Sequence, residues 1–462
     1  VAAGQGATSP AVDAGSGKAS ERDIAGSTRS DGVGDAGIAD IGWHAAAGSG
    51  GPRPSPVPTP SVTPVPKAGS GLTFHVDPSG DDGRNALDAQ SPGSPWKTIA
   101  HAIQSADPGD VIVLAPGTYA EAAEITRDAL TLRGGGALGE VILSPPPDAQ
   151  GIRVDRRSGV VLENLVVQGG AQGVVGNDAT AIVLRRLGIV APATNGVQLT
   201  SASGAVIDGC IVTGAGTQGL LLRQTGGAYV RNNLVYANAE WGITFDNTGS
   251  PLPAPVTGNA VAFNTVHANG KGIRLLNASG EVRDNQITQQ ADIGLYLAGP
   301  NLLAHHNNFS ANVRDRDQDS TYQASIRVWA TLGANPRYVR PAGVDGVLGG
   351  IGWRDDDLRL KQIAGETPLS TLVDAGSGLA SALDISGTTR SDGVPDAGVA
   401  DVGFHYDASP ATAAPAFATA PNGTQATYYV SSELAAASNS NSRATARSRS
   451  TPWKTIAYAM SQ

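Results

Sequence analysis

Cysteine, methionine, aromatic side chains and charge are all scarce in this 462-residue sequence, which has one Cys, one Met, 5% aromatic and 16% charged residues. The lone Cys210 lies in the apolar run Ala205 to Thr213, so an internal disulfide is excluded and stability must come from packing and backbone pairing. Apolar runs stay far below the ~18 residues that a bilayer span needs, so no membrane span is expected. Basic residues form no stripe, and the formal net charge is −9. That balance excludes nucleic acid as a partner, because nothing would displace counterions from phosphates. An initiator Met and a charged-then-apolar leader are also lacking, so a signal peptide is expected outside this sequence.

What is abundant is glycine (60 residues) and proline (29), a composition of tight corners and small side chains rather than long helices. Internal repetition is the strongest signal. Val12-Asp13-Ala14-Gly15-Ser16-Gly17 returns as Val373-Asp374-Ala375-Gly376-Ser377-Gly378, and Ala39-Asp40-Ile41-Gly42-Trp43-His44 returns as Ala400-Asp401-Val402-Gly403-Phe404-His405, both at an offset of 361 residues. Pro95-Trp96-Lys97-Thr98-Ile99-Ala100 likewise returns as Pro452-Trp453-Lys454-Thr455-Ile456-Ala457. The sequence is therefore expected to be a slice of a longer tandem-repeat protein: residues 1–46 end a preceding unit, 47–70 are a Pro-rich linker, 71–310 and 311–406 form one unit, 407–425 are a second linker, and 426–462 begin the next unit. The alternating prolines from Pro52 to Pro66 favour a semi-rigid polyproline II spacer.

Inside the unit, apolar runs of three to five residues are broken by Gly, Asn and Asp, the composition of short strands. Glycines at 151, 173, 196, 219, 242, 272 and 294 each precede an apolar run, with intervals of 22, 23, 23, 23, 30 and 22. The long interval contains Ser250-Pro251-Leu252-Pro253-Ala254-Pro255, a loop added to one coil. Half a period away stand Asn164, Asn233, Asn264, Asn285 and Asn307, with Arg186 and Gly209 where the pattern lapses. Residues at one place in successive turns form columns roughly 4.8 Å apart. These asparagines are expected to make a hydrogen-bonded ladder, and the apolar positions a continuous interior.

The pattern resembles the right-handed parallel β-helix repeat family, the superfamily that contains the pectate lyases, over about residues 71 to 406. The resemblance implies an all-β solenoid of about nine or more coils. Trp96, Ile99, Ala100 and Ile103 have helical spacing, so a capping helix is expected near 95–106. Enzymes of the superfamily commonly cleave acidic polysaccharides with carboxylates that hold Ca²⁺ and an Arg or Lys base on one exterior face.

Candidate sites follow from side-chain columns. Glu163, Arg185, Asp208, Asn232, Phe263, Asp284 and His306 read as one outward column whose alternating charges suit a salt-bridged solvent face. Arg223, Asp246 and Arg274, with Trp241 and Tyr296 nearby, are the carbohydrate-binding candidates, since an aromatic beside Arg and Asp can stack on and hydrogen-bond a sugar. His305 and His306, as adjacent strand residues, should point to opposite faces and share no ligand. Asp315, Asp317 and Asp319, and Asp355 to Asp357, are interleaved or flanked by arginines. The Gly-interspersed Asp31, Asp35 and Asp40, repeated as Asp392, Asp396 and Asp401, are better Ca²⁺ candidates, although Asp-Gly turn chemistry closing the last coils is the favoured explanation for them.

The functional expectation is a noncatalytic structural or adhesive module of an extracellular or surface-bound bacterial protein, partnered by neighbouring copies of its own repeat, in an end-to-end assembly, and by surface or matrix polysaccharide. A polysaccharide-binding module and a polysaccharide lyase or hydrolase on the exterior face are the alternatives. No cofactor other than Ca²⁺ is expected.

Overall fold

The structure, a computed structural model, describes residues 71–249, 256–363 and 365–407. The expected repeat remnants at 1–46 and 426–462, the linker 47–70, and Asp31, Asp35 and Asp40 lie outside the described residues, as does the inserted loop at 250–255.

The short apolar runs form three parallel sheets. Sheet A has eleven strands, from Thr73–Val76 to Ile326–Trp329; sheet B has nine, from Gly117–Tyr119 to Asn308–Ser310; sheet C has nine, from Ala123–Glu124 to Arg314–Gln318. A typical coil runs through Val206–Asp208 in A, Ile211–Thr213 in B and Leu220–Arg223 in C, then climbs to Tyr229–Arg231 in A. Each strand pairs in parallel with its equivalent one coil later, as Val206 does with Tyr229 and Leu220 with Ile243. The fold is an all-β parallel solenoid of about nine coils with few helices.

The glycine period has a steric cause. A Cβ on Gly173, Gly196, Gly219 or Gly272 would stand 2.4, 2.5, 2.7 or 2.0 Å from the carbonyl oxygen of the next glycine up the column. Each coil must let its successor's backbone pass where a side chain would project, so the column admits only glycine. Immediately after it the strand alternates: Leu220 and Leu222 enter the core while Leu221 faces outward. The interior is filled by stacked columns, for example Val167, Ile189, Val212, Val235, Val266, Ile287 and Phe309 in sheet B, joined rung to rung.

A two-residue corner joins sheet A to sheet B. Its first residue takes the left-handed conformation in coil after coil: Asn164, Arg186, Gly209, Asn232, Phe263, Asp284 and His306 have φ between 51 and 66°. The second residue points inward, and the pairing puts Leu165, Leu187, Cys210, Asn233, Asn264, Asn285 and Asn307 in that column. The amide ladder therefore comprises Asn233, Asn264, Asn285 and Asn307, each Nδ2 donating to the next Oδ1 at 2.8 to 2.9 Å. Asn164 is not a member: it occupies the left-handed turn column and donates to the carbonyls of Gly134 and Gly136. The same one-residue slip corrects the outward column, which reads Glu163, Arg185, Asp208, Arg231, Ala262, Arg283 and His305. Glu163 pairs with Arg133 and Arg185, and Asp208 with Arg231, which gives that face its salt bridges.

A second ladder follows sheet B. Asn238 Nδ2 donates to Asn269 Oδ1 and Asn269 Nδ2 to Gln290 Oε1, while the Gln290 backbone N–H donates to Asn312 Oδ1. Here too a left-handed residue precedes each member, at Ala237, Ala268, Gln289 and Ala311. Below the first ladder the column is closed by Cys210, whose N–H donates to Asn233 Oδ1 and whose thiol is pushed up to about 12 by burial. It stays a neutral core side chain.

Near the N-terminal end a helix spans Ile99–Ser105, with Thr98 Oγ1 accepting from the His101 N–H and the Glu121 carboxylate accepting from the first two helical N–H groups. Ile99, Ala102 and Ile103 are buried in the core. Trp96 precedes the helix, stacked on Phe74 at 4.9 Å, and Ala100 is exposed. The apolar spacing expected for four residues thus belongs partly to a strand bridge between Val76 and Trp96.

After Trp329 the chain turns back along the outside of sheet B. Tyr338 reaches Gln286 near the last coils, Asp356 accepts from Tyr236 Oη in the middle, and Arg354 donates to the Gly139 carbonyl near the first coils. Phe404 and His405 then return to Thr265 and Asn232. This strap buries Leu234 and Tyr236 under Tyr338, Leu358, Leu360, Leu372 and Phe404. It also seals His267, whose Nδ1 lies 2.8 Å from Thr288 Oγ1.

Two outcomes follow. Asn264→Ala strips partners from Asn233, Asn285 and the Val230 carbonyl; at about 1–3 kcal/mol for each buried group left unsatisfied, urea unfolding should show a loss of at least ~2 kcal/mol, and a smaller loss would mean that the ladder is ornamental. Burial lowers the pKa of His267 from 6.5 to about 4. The unfolded chain therefore binds this proton first as pH falls, so its contribution is intact above pH ~6.5 and lost progressively toward pH ~4, by about 3 kcal/mol in all. His267→Gln should flatten that part of the stability profile, and an unchanged slope would refute the assignment.

Candidate functional site

Sheet C presents its outer face away from the strap, and three outward columns cross it. The first is the residue before each column glycine: Gln150, Gln172, Asn195, Gln218, Trp241 and Lys271. The second includes Gln198, Leu221, Thr244, Arg274 and Tyr296, and the third Thr200, Arg223 and Asp246. The sequence-selected residues Arg223, Trp241, Asp246, Arg274 and Tyr296 therefore come onto one face within four consecutive coils, Arg223 in register with Asp246 and Arg274 with Tyr296.

Their contacts define the chemistry. The Arg274 guanidinium lies over the Trp241 ring at 5.0 Å from its centroid, and Lys271 Nζ lies over the same ring at 5.5 Å. Trp241 is accordingly buried, 7% exposed, and serves as a support for two cations rather than as an open stacking platform. The carboxylate closest to Arg274, Asp246, stands 3.9 Å away and accepts from Thr248 Oγ1 and N–H through its other oxygen. Arg274 Nε and the Thr244 Oγ1 beside it are buried without a hydrogen-bond partner among the described residues. Burial lowers the Arg274 pKa against the pull of Asp246 and Glu240, with Arg223 adding repulsion. The result is an under-neutralised cation held rigidly at the surface, a place where an anionic group is welcome.

Sequence reading missed the neighbouring amide row. Gln150 Nε2 donates to Gln172 Oε1, and Gln172 Nε2 and Asn195 Nδ2 both donate to Gln198 Oε1. The signal was available, since an amide precedes Gly151, Gly173, Gly196 and Gly219 in turn.

The repeated aspartates separate. Asp396 and Asp401 meet at His405, the one group of three potential metal ligands within 4.8 Å of one another among the described residues. Protein partners fill this cluster: Asp396 Oδ2 contacts His405 Nε2 at 2.7 Å and accepts from the Asp401 N–H, and Asp401 accepts from the Asp374 N–H and Thr389 Oγ1. His405 Nδ1 lies 2.9 Å from the Gly403 carbonyl. The arrangement closes the end of the strap as a buried hydrogen-bond knot, and burial raises the Asp401 pKa. Asp392 is outside it, paired at 2.6 Å with Arg390. The other acidic stretches disperse as well: Asp355 accepts from the Val344 and Asp345 N–H groups, Asp356 from Tyr236, and Asp357 pairs with Arg359.

His305 and His306 do not point apart. The left-handed backbone of His306, φ 51°, swings its ring around the corner, so the two Nδ1 atoms face each other at 2.9 Å. His305 Nε2 reaches Glu281 at 2.8 Å, and its ring is stacked on Trp329 at 4.5 Å. Burial favours a protonated Glu281, but the His305 hydrogen bond and the Arg283 charge outweigh it and hold the carboxyl below its usual range.

Among the described residues no helix is long and apolar enough to cross a membrane. No curated protein is significantly similar to the chain. Among solved structures, it is similar to the pectate lyase Pel9A (13% identity, 72% of this chain and 96% of that chain, TM-score 0.42) and to a rhamnogalacturonan lyase (12%, 65% and 97%, TM-score 0.42). The periplasmic alginate epimerase AlgG is a further match (12%, 48% and 70%, TM-score 0.35). Residues 150–312 match the family described as right handed beta helix region. That segment spans the glycine column and both amide ladders, and its fold is the right-handed parallel β-solenoid that the match describes.

Proposed function

We propose that the β-helix is a noncatalytic adhesive module of an extracellular bacterial protein, and that it grips an acidic polysaccharide along sheet C. The observation that carries this reading is the Arg274 guanidinium, fixed on Trp241 with Nε unpaired and its nearest carboxylate at 3.9 Å. Arg223 and Lys271 widen the cationic patch, Tyr296 borders it, and the row Gln150, Gln172, Asn195 and Gln198 supplies amides for sugar hydroxyls. Regular spacing of rungs, roughly 4.8 Å, suits a polymer better than a small ligand, since the same donor types recur along the face.

Binding rather than cleavage is favoured by the distribution of carboxylates. On this face Asp155, Asp246 and Asp292 each sit against a different cation, Arg153, Arg274 and Arg314, whereas a Ca²⁺-assisted lyase needs them to converge. The stacked solenoid and the repeated sequence blocks support a role as a rigid spacer that displays this face at intervals.

Calorimetric titration with a soluble polyuronate should give saturable binding that weakens as salt is raised from 0.05 to 0.5 M, on the order expected for screened charges. Arg274→Ala should lower affinity by ~10-fold or more, the usual worth of a hydrogen bond to a charged group, with circular dichroism unchanged. A blank result across acidic and neutral glycans, with and without Ca²⁺, would remove the proposal.

A further inference from the structure

Away from the sheet C face, the geometry points to a two-histidine site for a divalent transition-metal ion, with Cu²⁺ the preferred occupant, formed by Nδ1 of His305 and Nδ1 of His306 at the corner between sheets A and B. Two imidazole nitrogens bound about 2.0 Å from a square-planar ion in adjacent positions stand roughly 2.8 Å apart, and here they are 2.9 Å apart. A tetrahedral ion would want roughly 3.3 Å, so the bite fits copper better than zinc.

The surroundings are those of a prepared ligand. A carboxylate accepts hydrogen bonds, so Glu281 fixes the His305 proton on Nε2 and leaves the Nδ1 lone pair turned toward His306. This is the carboxylate–histidine arrangement that orients metal-bound imidazoles. Arg283 Nε steadies Glu281 at 3.4 Å, and the Trp329 indole stacked on His305 sets the ring plane. His306, half-buried at the corner, needs only a modest ring rotation to bring both lone pairs onto one point. On binding, the His306 proton moves by way of solvent from Nδ1 to Nε2 of the same ring, so both imidazoles stay neutral and both Nδ1 lone pairs face the ion, and water completes its coordination.

The test uses the whole chain and Cu²⁺ alone. Electron paramagnetic resonance of a one-to-one sample should show superhyperfine structure from two imidazole nitrogens, together with quenching of Trp329 fluorescence. His306→Asn, which keeps a side chain at ease in the left-handed region, should retain the fold by circular dichroism yet weaken binding at least ~10-fold and leave one nitrogen. Glu281→Gln should weaken binding by roughly 10- to 100-fold while keeping both nitrogens. A wild-type copper affinity and nitrogen count in His306→Asn would overturn the site, as would a signal abolished by His405→Asn but untouched by His305→Asn.

Discussion

In-register stacking of one coil on the next is the constraint from which everything else here descends. Once each rung pairs in parallel with its equivalent 20 to 38 residues later, a residue's neighbours above and below are copies of its own position. Choice at any position then becomes choice for a column. Glycine is demanded where the next carbonyl passes through the space of a Cβ, aliphatic residues where a column faces inward, and amides where the corner turns and both donors and acceptors must be met inside. The three sheets are three solutions of the same repeated problem.

Polar satisfaction explains the division of the corner column. Leu165, Leu187 and Cys210 make it apolar in the early coils, and the four asparagines make it polar in the later ones. An amide inserted singly would leave buried groups unmet. Inserted in succession, each side chain accepts from the residue before it and donates to the residue after it, while its second N–H reaches a core carbonyl. The Cys210 N–H begins the series because a backbone donor can start a ladder that no side chain precedes.

How much was legible follows from the same logic. Period, sheet class and most of the ladder could be read, because columns repeat and repetition is visible in a string. The register at the corner could not: Asn164 and Asn232 are asparagines for their ease in the left-handed turn, and Asn233 is one for its amide ladder, so identical letters carried two different jobs in adjacent columns. The histidine pair was misjudged for the same reason, since strand alternation was applied to a residue that is not in a strand. The face bearing Arg223, Trp241, Asp246, Arg274 and Tyr296 was legible as a grouping, whereas the covering of Trp241 by Lys271 and Arg274 depends on rotamers that no spacing encodes. The strap was invisible, because its partners lie at separations such as 120, 153 and 215 residues with no period to announce them.

Those separations give the strap a temporal meaning. Rungs close loops of two dozen residues or so and can zip up locally, one upon another, as the chain emerges from synthesis. The contact of Arg354 with Gly139, by contrast, must wait until the intervening coils have been made. During that interval the outer side of sheet B, with Leu234 and Tyr236 on it, stays wet. The molecule therefore passes through a sticky adolescence, in which the solenoid is already wound and its last segment has yet to lie down.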